Sequence, residues 1–138
     1  MSKIAVVYWS GTGNTEAMAT AVAAGATEKG AEVDVLPVAA FDASLVSAYD
    51  ALAFGCPAMG AEVLEEDEFE PAFTACLPEL KGKKVALFGS YGWGDGEWMR
   101  SWEETCSDNG VTLAAESVIV NGYPDDDSDC KALGAALA

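Results

Sequence analysis

The sequence predicts an α/β protein with one doubly wound, five-stranded parallel sheet in the order 2-1-3-4-5. Three observations support this. Ile4 to Trp9, Ala51 to Cys56 and Val85 to Ser90 are near-continuous apolar runs, the composition of parallel strands buried on both faces. Val33 to Leu36 and Ser117 to Asn121 are shorter and more polar, and suit the edges of the sheet. Segments with helical spacing separate these runs, so strands alternate with helices. Right-handed crossovers, with the richest runs placed centrally, then select the strand order.

Taken along the chain, the first strand ends in the turn Ser10 to Thr15, SGTGNT, and a helix opens at Asn14. Met18, Ala21, Val22 and Gly25 make its inner face, and Gly30 stops it. The second strand alternates Val33 and Val35 against Asp34 and ends at Pro37. Asp42 or Ser44 is placed to cap a short helix through Leu45 and Val46. The third strand, Ala51 to Cys56, ends at Pro57 and leads into the loop Ala58 to Glu62. The acids Glu65 to Glu68 then precede Phe69, Phe73 and Leu77, where negative charge suits the first turn of a helix. Lys81 to Lys84 is a turn before the fourth strand, and the glycine-rich Tyr91 to Gly96 follows that strand. Trp98, Trp102 and Cys106 share one face of a helix ending near Gly110, so the two tryptophans read as core. The last strand, with Thr112 to Ala114 as a possible forerunner, precedes a final helix that Asp125 to Ser128 would cap. That helix turns Cys130, Leu133, Gly134 and Leu137 inward.

The carboxyl ends of strands 1, 3 and 4 are neighbours in this order, and the loops there carry the chemistry. In Ser10 to Thr15, Gly11 and Gly13 let the backbone approach a ligand, while Ser10, Thr12 and Thr15 supply hydroxyls. A helix start at Asn14 directs N–H groups and a positive dipole end at an anion. The loop has neither the GK[ST] of a nucleotide P-loop nor GxGxxG, so it points to a terminal monophosphate on a larger group. The alternative is an ordinary strand-to-helix turn. Trp93, among Gly92, Gly94 and Gly96, offers a flat wall, and Met59 offers a thioether that packs on aromatic faces. A planar ring between Met59 and Trp93, with its phosphate tail at SGTGNT, is flavin mononucleotide (FMN).

Composition narrows the classes. At 138 residues the chain suits one domain, taken as 1–138. No apolar run approaches the roughly 20 residues of a membrane span, and the start lacks a signal-peptide core, so a cytoplasmic protein without a membrane partner is expected. The four cysteines form no CxxC pair and histidine is absent, which speaks against metal and dithiol sites. A net charge of −16 argues against nucleic acid. It favours either basic partner surfaces or simple solubility, and the two readings stand side by side.

Four stretches then resemble the short-chain flavodoxins of anaerobic bacteria: VVYWSGTGNTE (Val6 to Glu16), FGCPAMG (Phe54 to Gly60), LKGKKVALFGSYGWGDGEWM (Leu80 to Met99) and VNGYPDDD (Val120 to Asp127). Flavodoxin is itself the standard example of the 2-1-3-4-5 order with a ligand at the β1/β3 switch point, so that placement is not independent of the resemblance. The resemblance implies a flavodoxin-like fold and a low-potential one-electron carrier shuttling non-covalent FMN mainly between semiquinone and hydroquinone. It implies that Ser10, Gly11, Thr12, Gly13, Asn14 and Thr15 bind the phosphate, with Trp9 near the phosphate and ribityl chain. Met59 and Trp93 would flank the isoalloxazine, in a site completed by Pro57, Ala58, Gly60, Ala61 and Ser90. Glu62 would accept from flavin N3–H, and the backbone of Tyr91, Gly92, Trp93, Gly94 and Asp95 would meet the pyrimidine end. Partners would be redox proteins with basic docking surfaces, met by a monomer.

Reduced flavin is an anion, and the reading places no Lys or Arg beside it. At an effective dielectric constant of about 20, each carboxylate roughly 10 Å away costs about 1.7 kcal/mol, which makes the more reduced couple strongly reducing. Ala61 stands where the family's turning peptide requires positive φ, a strain of ~1 kcal/mol, so less stabilisation of the semiquinone than with glycine is expected. The rival reading is an FMN-dependent NAD(P)H quinone or nitro-compound reductase. A phosphoacceptor receiver lacks its acidic residues here, since Trp9, Ser10 and Cys56 stand at those positions.

Overall fold

The computed structural model describes residues 2–11, 13–59, 63–92 and 94–138. Strands β1 (Lys3–Tyr8), β2 (Glu32–Pro37), β3 (Ala51–Gly55), β4 (Lys84–Tyr91) and β5 (Val118–Asn121) form one sheet in the order β2-β1-β3-β4-β5, and all its pairings are parallel. The helices are α1 (Asn14–Glu28), α2 (Phe69–Cys76), α3 (Glu97–Asp108) and α4 (Ser128–Leu137). The polar strands β2 and β5 lie at the edges as expected. The two-residue period of the central strands divides the core: Ile4, Val6, Ala51, Ala53, Ala86 and Phe88 face α1 and α4. Ala5, Val7, Leu52, Phe54, Val85 and Leu87 face α2, α3 and the 3₁₀ turns.

Gly25 and Gly134 do turn inward, but against a neighbouring helix. A Cβ on Gly134 would come within 1.9 Å of the Val22 carbonyl oxygen, and one on Gly25 within 2.0 Å of that of Lys131. These two glycines set how closely α1 and α4 approach. Trp98 and Trp102 are core residues, 1% and 2% exposed. Trp102 stands edge-on to Phe69 and Phe73, with ring centroids 5.4 and 5.5 Å away.

Several boundaries differ from expectation. β1 ends at Tyr8, although the Trp9 N–H still donates to the Gly55 carbonyl at 3.0 Å. The helix after Asp42 is 3₁₀, Ala43–Ala48, with the Asp42 carboxylate accepting from the Ser44 N–H at 2.9 Å. Tyr91 belongs to β4 because β5 pairs with it at Asn121. The segment before β5 makes a single parallel bridge, Leu113 to Val85.

What matters for the site is the carboxyl rim. β1 and β3 end level, Tyr8 against Gly55, and Gly55 pairs with Phe88. The ladder continues into the loops: Cys56 N–H donates to Phe88 O at 3.1 Å and Ala58 N–H to Ser90 O at 3.0 Å. A Cβ on Gly89 would lie 2.2 Å from the Cys56 carbonyl oxygen, so glycine is what lets the chain after β3 lie against β4.

Candidate functional site

The loop after β1 is shaped by its own residues. Ser10 Oγ accepts the Gly13 N–H at 3.0 Å. Gly13 takes φ 95°, ψ −10° as the residue before α1, a left-handed conformation that glycine adopts without strain. Having no side chain, Gly13 cannot cap the helix, and the first-turn N–H groups are left to an anion. Thr15 is 1% exposed, and its hydroxyl pairs with that of Ser90 at 2.8 Å, one donating to the other. The Thr15 side chain thereby ties α1 to β4. Thr12 lies outside the described residues.

The three loops meet around a cavity of about 260 Å³, lined by Trp9, Gly11, Asn14, Pro57, Ala58, Met59, Ser90, Tyr91, Gly92 and Gly122. Nine of these ten were expected from sequence. Gly122 was not, although it lies in the VNGYPDDD stretch; its N–H donates to the Tyr91 carbonyl at 2.9 Å and carries the chain after β5 onto the rim. A Cβ on Gly92 would meet nothing within 4 Å, so that wall is open. Ser10 and Gly13 border an adjacent cavity of about 390 Å³ with Tyr8, Trp9, Gly11, Glu16 and Glu68.

The backbone of Met59 is held by an antiparallel pair with Val63, at N–H to O distances of 2.9 and 3.0 Å. Gly60, Ala61, Glu62 and Trp93 lie outside the described residues. Behind the loop, the Glu65 N–H donates to Cys56 Sγ at 3.4 Å. The Glu65 carboxylate, 6% exposed, accepts from the N–H groups of Asp67, Glu68 and Phe69, each at 2.8 Å. Burial pulls its pKa upward, and those three N–H groups, from Phe69, Glu68 and Asp67, outweigh it and hold the carboxyl below its ordinary value. Within the acidic run that precedes α2, Glu65 thus acts as a buried acceptor for backbone N–H groups at the helix start.

On the third loop, Gly94 and Asp95 stand apart from the residues that line the cavity. Asp95 is ion-paired with Arg100 at 2.9 Å, and its carbonyl also accepts from that guanidinium at 3.1 Å. The chain turning into α3 thus brings Arg100 back onto Asp95, away from the residues that line the cavity. The Trp98 indole N–H donates to the Cys56 carbonyl at 3.1 Å and fixes α3 to the end of β3. Burial pushes the Cys56 thiol up to about 12, which keeps this cysteine at the rim protonated and unreactive. Among the described residues, no group of His, Cys, Asp and Glu is arranged to hold a metal ion, and no helix is long and apolar enough to cross a membrane.

A family model described as Flavodoxin matches residues 6–133. The chain is 49% identical over 135 residues to a flavodoxin of Megasphaera elsdenii, covering 98% of each chain. It is 47% identical to one of Clostridium beijerinckii, over 96% of this chain and 97% of that protein. The solution structure of the two-electron reduced Megasphaera elsdenii flavodoxin superimposes with a TM-score of 0.91 at 48% identity, covering 97% of both chains.

Proposed function

The chain belongs to the flavodoxin family of FMN-binding electron carriers, and from that premise we propose that the cavity at the three-loop rim is where FMN sits. The protein is an electron carrier and not an enzyme, and its cofactor is FMN. The reductase alternative is not favoured, since the relatives matched over nearly their full length are named flavodoxins.

The observation that carries the proposal is the continuity of one cavity from Gly11 and Asn14, beside the start of α1, to Met59 on one loop and Tyr91 and Gly92 on another. The residues fit FMN. The uncapped helix start suits a phosphate without requiring Lys or Arg, and Met59, Ala58, Pro57 and Tyr91 give the rest of the cavity apolar walls. Ser10, Gly11, Thr12, Gly13, Asn14 and Thr15 would hold the phosphate, with Trp9 beside it. Met59 and Trp93 would cover the ring, in a site completed by Pro57, Ala58, Gly60, Ala61 and Ser90. Glu62 and the backbone of Tyr91 to Asp95 would hold the pyrimidine edge.

When bound, FMN supplies the redox chemistry. The chain's residues supply position and field. The Met59–Val63 pair holds the backbone that carries the thioether, and the Trp98 and Thr15–Ser90 bonds tie α3 and α1 to the ends of β3 and β4. A net charge of −16 opposes additional negative charge at the site and supports low-potential operation. It also supports docking on basic surfaces of redox partners by a cytoplasmic monomer. That both core clusters share one sheet supports 1–138 acting as a single FMN-binding domain.

Titration of the apoprotein with FMN tests the proposal. Flavin fluorescence should quench with a one-to-one endpoint, and Met59→Ala should weaken binding. Absence of quenching, or an affinity indifferent to Met59 and to the SGTGNT loop, would refute it.

A further inference from the structure

We infer that Glu68 is a positioning residue for the cofactor site, holding the Trp9 indole as the wall between the two rim cavities. The inference rests on reading the 260 Å³ cavity as the FMN site. Trp9 and Gly11 line both that cavity and its 390 Å³ neighbour, so the indole is what separates them. The ring lies close over Gly11: a Cβ there would come within 3.1 Å of Cη2 and 3.3 Å of Cζ3. Contact with a residue that has no side chain leaves an indole free to swing. The ring's only polar atom, Nε1, donates to Glu68 Oε1 at 3.3 Å, and this is the bond that fixes its tilt.

Glu68 can serve as an anchor because its backbone is held. Its N–H donates to the buried Glu65 carboxylate at 2.8 Å, and its carbonyl accepts from Ala72 at 3.3 Å as α2 begins. Glu65 is in turn tied to Cys56 at the end of β3. Met59 thus lines one of the two cavities and Glu68 the other. Glu68 is also a carboxylate beside a loop built for an anion. As a bare charge it would weaken phosphate binding, so its presence there is accounted for by the hydrogen bond and not by electrostatics.

The two roles predict opposite results for Glu68→Ala and Glu68→Gln in the full chain. If Glu68 positions Trp9, Ala weakens FMN binding by about three- to tenfold, the worth of one hydrogen bond, while Gln, an uncharged acceptor, restores most of the affinity. The Trp9 indole N–H resonance, assigned with Trp9→Phe, should shift and exchange faster with solvent in the Ala variant, in the apoprotein as well as with FMN. The inference is overturned if both variants change FMN affinity alike, in either direction, or if the indole resonance of Glu68→Ala matches that of the parent. Should the parent itself fail to bind FMN, the cofactor reading falls, and the apoprotein indole resonance still decides whether Glu68 holds Trp9.

Discussion

Replacing Glu65 with Gln tests the cap behind the middle loop. The carboxylate accepts three backbone N–H groups at 2.8 Å, Glu68 and Phe69 at Oε1 and Asp67 at Oε2. An amide keeps its oxygen toward Glu68 and Phe69 but turns N–H protons toward the Asp67 N–H. Losing one charge-assisted bond costs about 1.5 kcal/mol, and reducing the other two to neutral strength costs about 1 kcal/mol more. Asp67 is exposed, so water recovers part of this, and the net expectation is about 2 kcal/mol. At a urea slope of about 2 kcal/mol per M, the midpoint should fall by about 1 M at pH 7 with free FMN held constant. The pH dependence follows from the lowered pKa. The folded value lies below the unfolded value of about 4.3, so the stabilisation is complete above that pH and is lost as pH falls through the folded value. The gap between parent and variant should therefore be full at pH 7 and close on the acid side. A gap absent at pH 7, or one that persists undiminished where Glu65 is protonated, would refute the account.

Gly134→Ala places a Cβ 1.9 Å from the Val22 carbonyl oxygen; α1 and α4 must separate, at a cost of about 2 kcal/mol or more, seen as a Tm lower by several degrees. Thr15→Val should cost about 1 kcal/mol by leaving the Ser90 hydroxyl unpaired, and a double-mutant cycle with Ser90→Ala should show the two sites coupled, where simple additivity would count against the pair. The cysteines are all buried, and burial pushes Cys56 and Cys106 up to about 12, so a thiol reagent at pH 8 should react at the rate of unfolding; fast modification of native protein would contradict this.

The sheet was legible because strands buried on both faces leave an unmistakable residue pattern, and the rim followed from the order of those strands. Most of the cavity's lining was legible for the same reason, since Gly11, Met59 and Tyr91 each come just after a central run or at its end. What escaped detection depends on which way a side chain turns. In EEDE, four adjacent acids are equivalent by composition, yet Glu65 is buried against backbone N–H groups while Glu66, Asp67 and Glu68 are exposed. Arg100 reaches Asp95 at a separation of five residues, outside the helical spacing that marks ion pairs in sequence. Gly122 joins the site only because β5 runs beside β4 far enough for its N–H to meet Tyr91. Each of these is set by the path the backbone takes between the strands and helices. Most of the residues that line the cavity are therefore written in local motifs, whereas Gly122 and the bonds that hold the loops depend on how the backbone is assembled around the sheet.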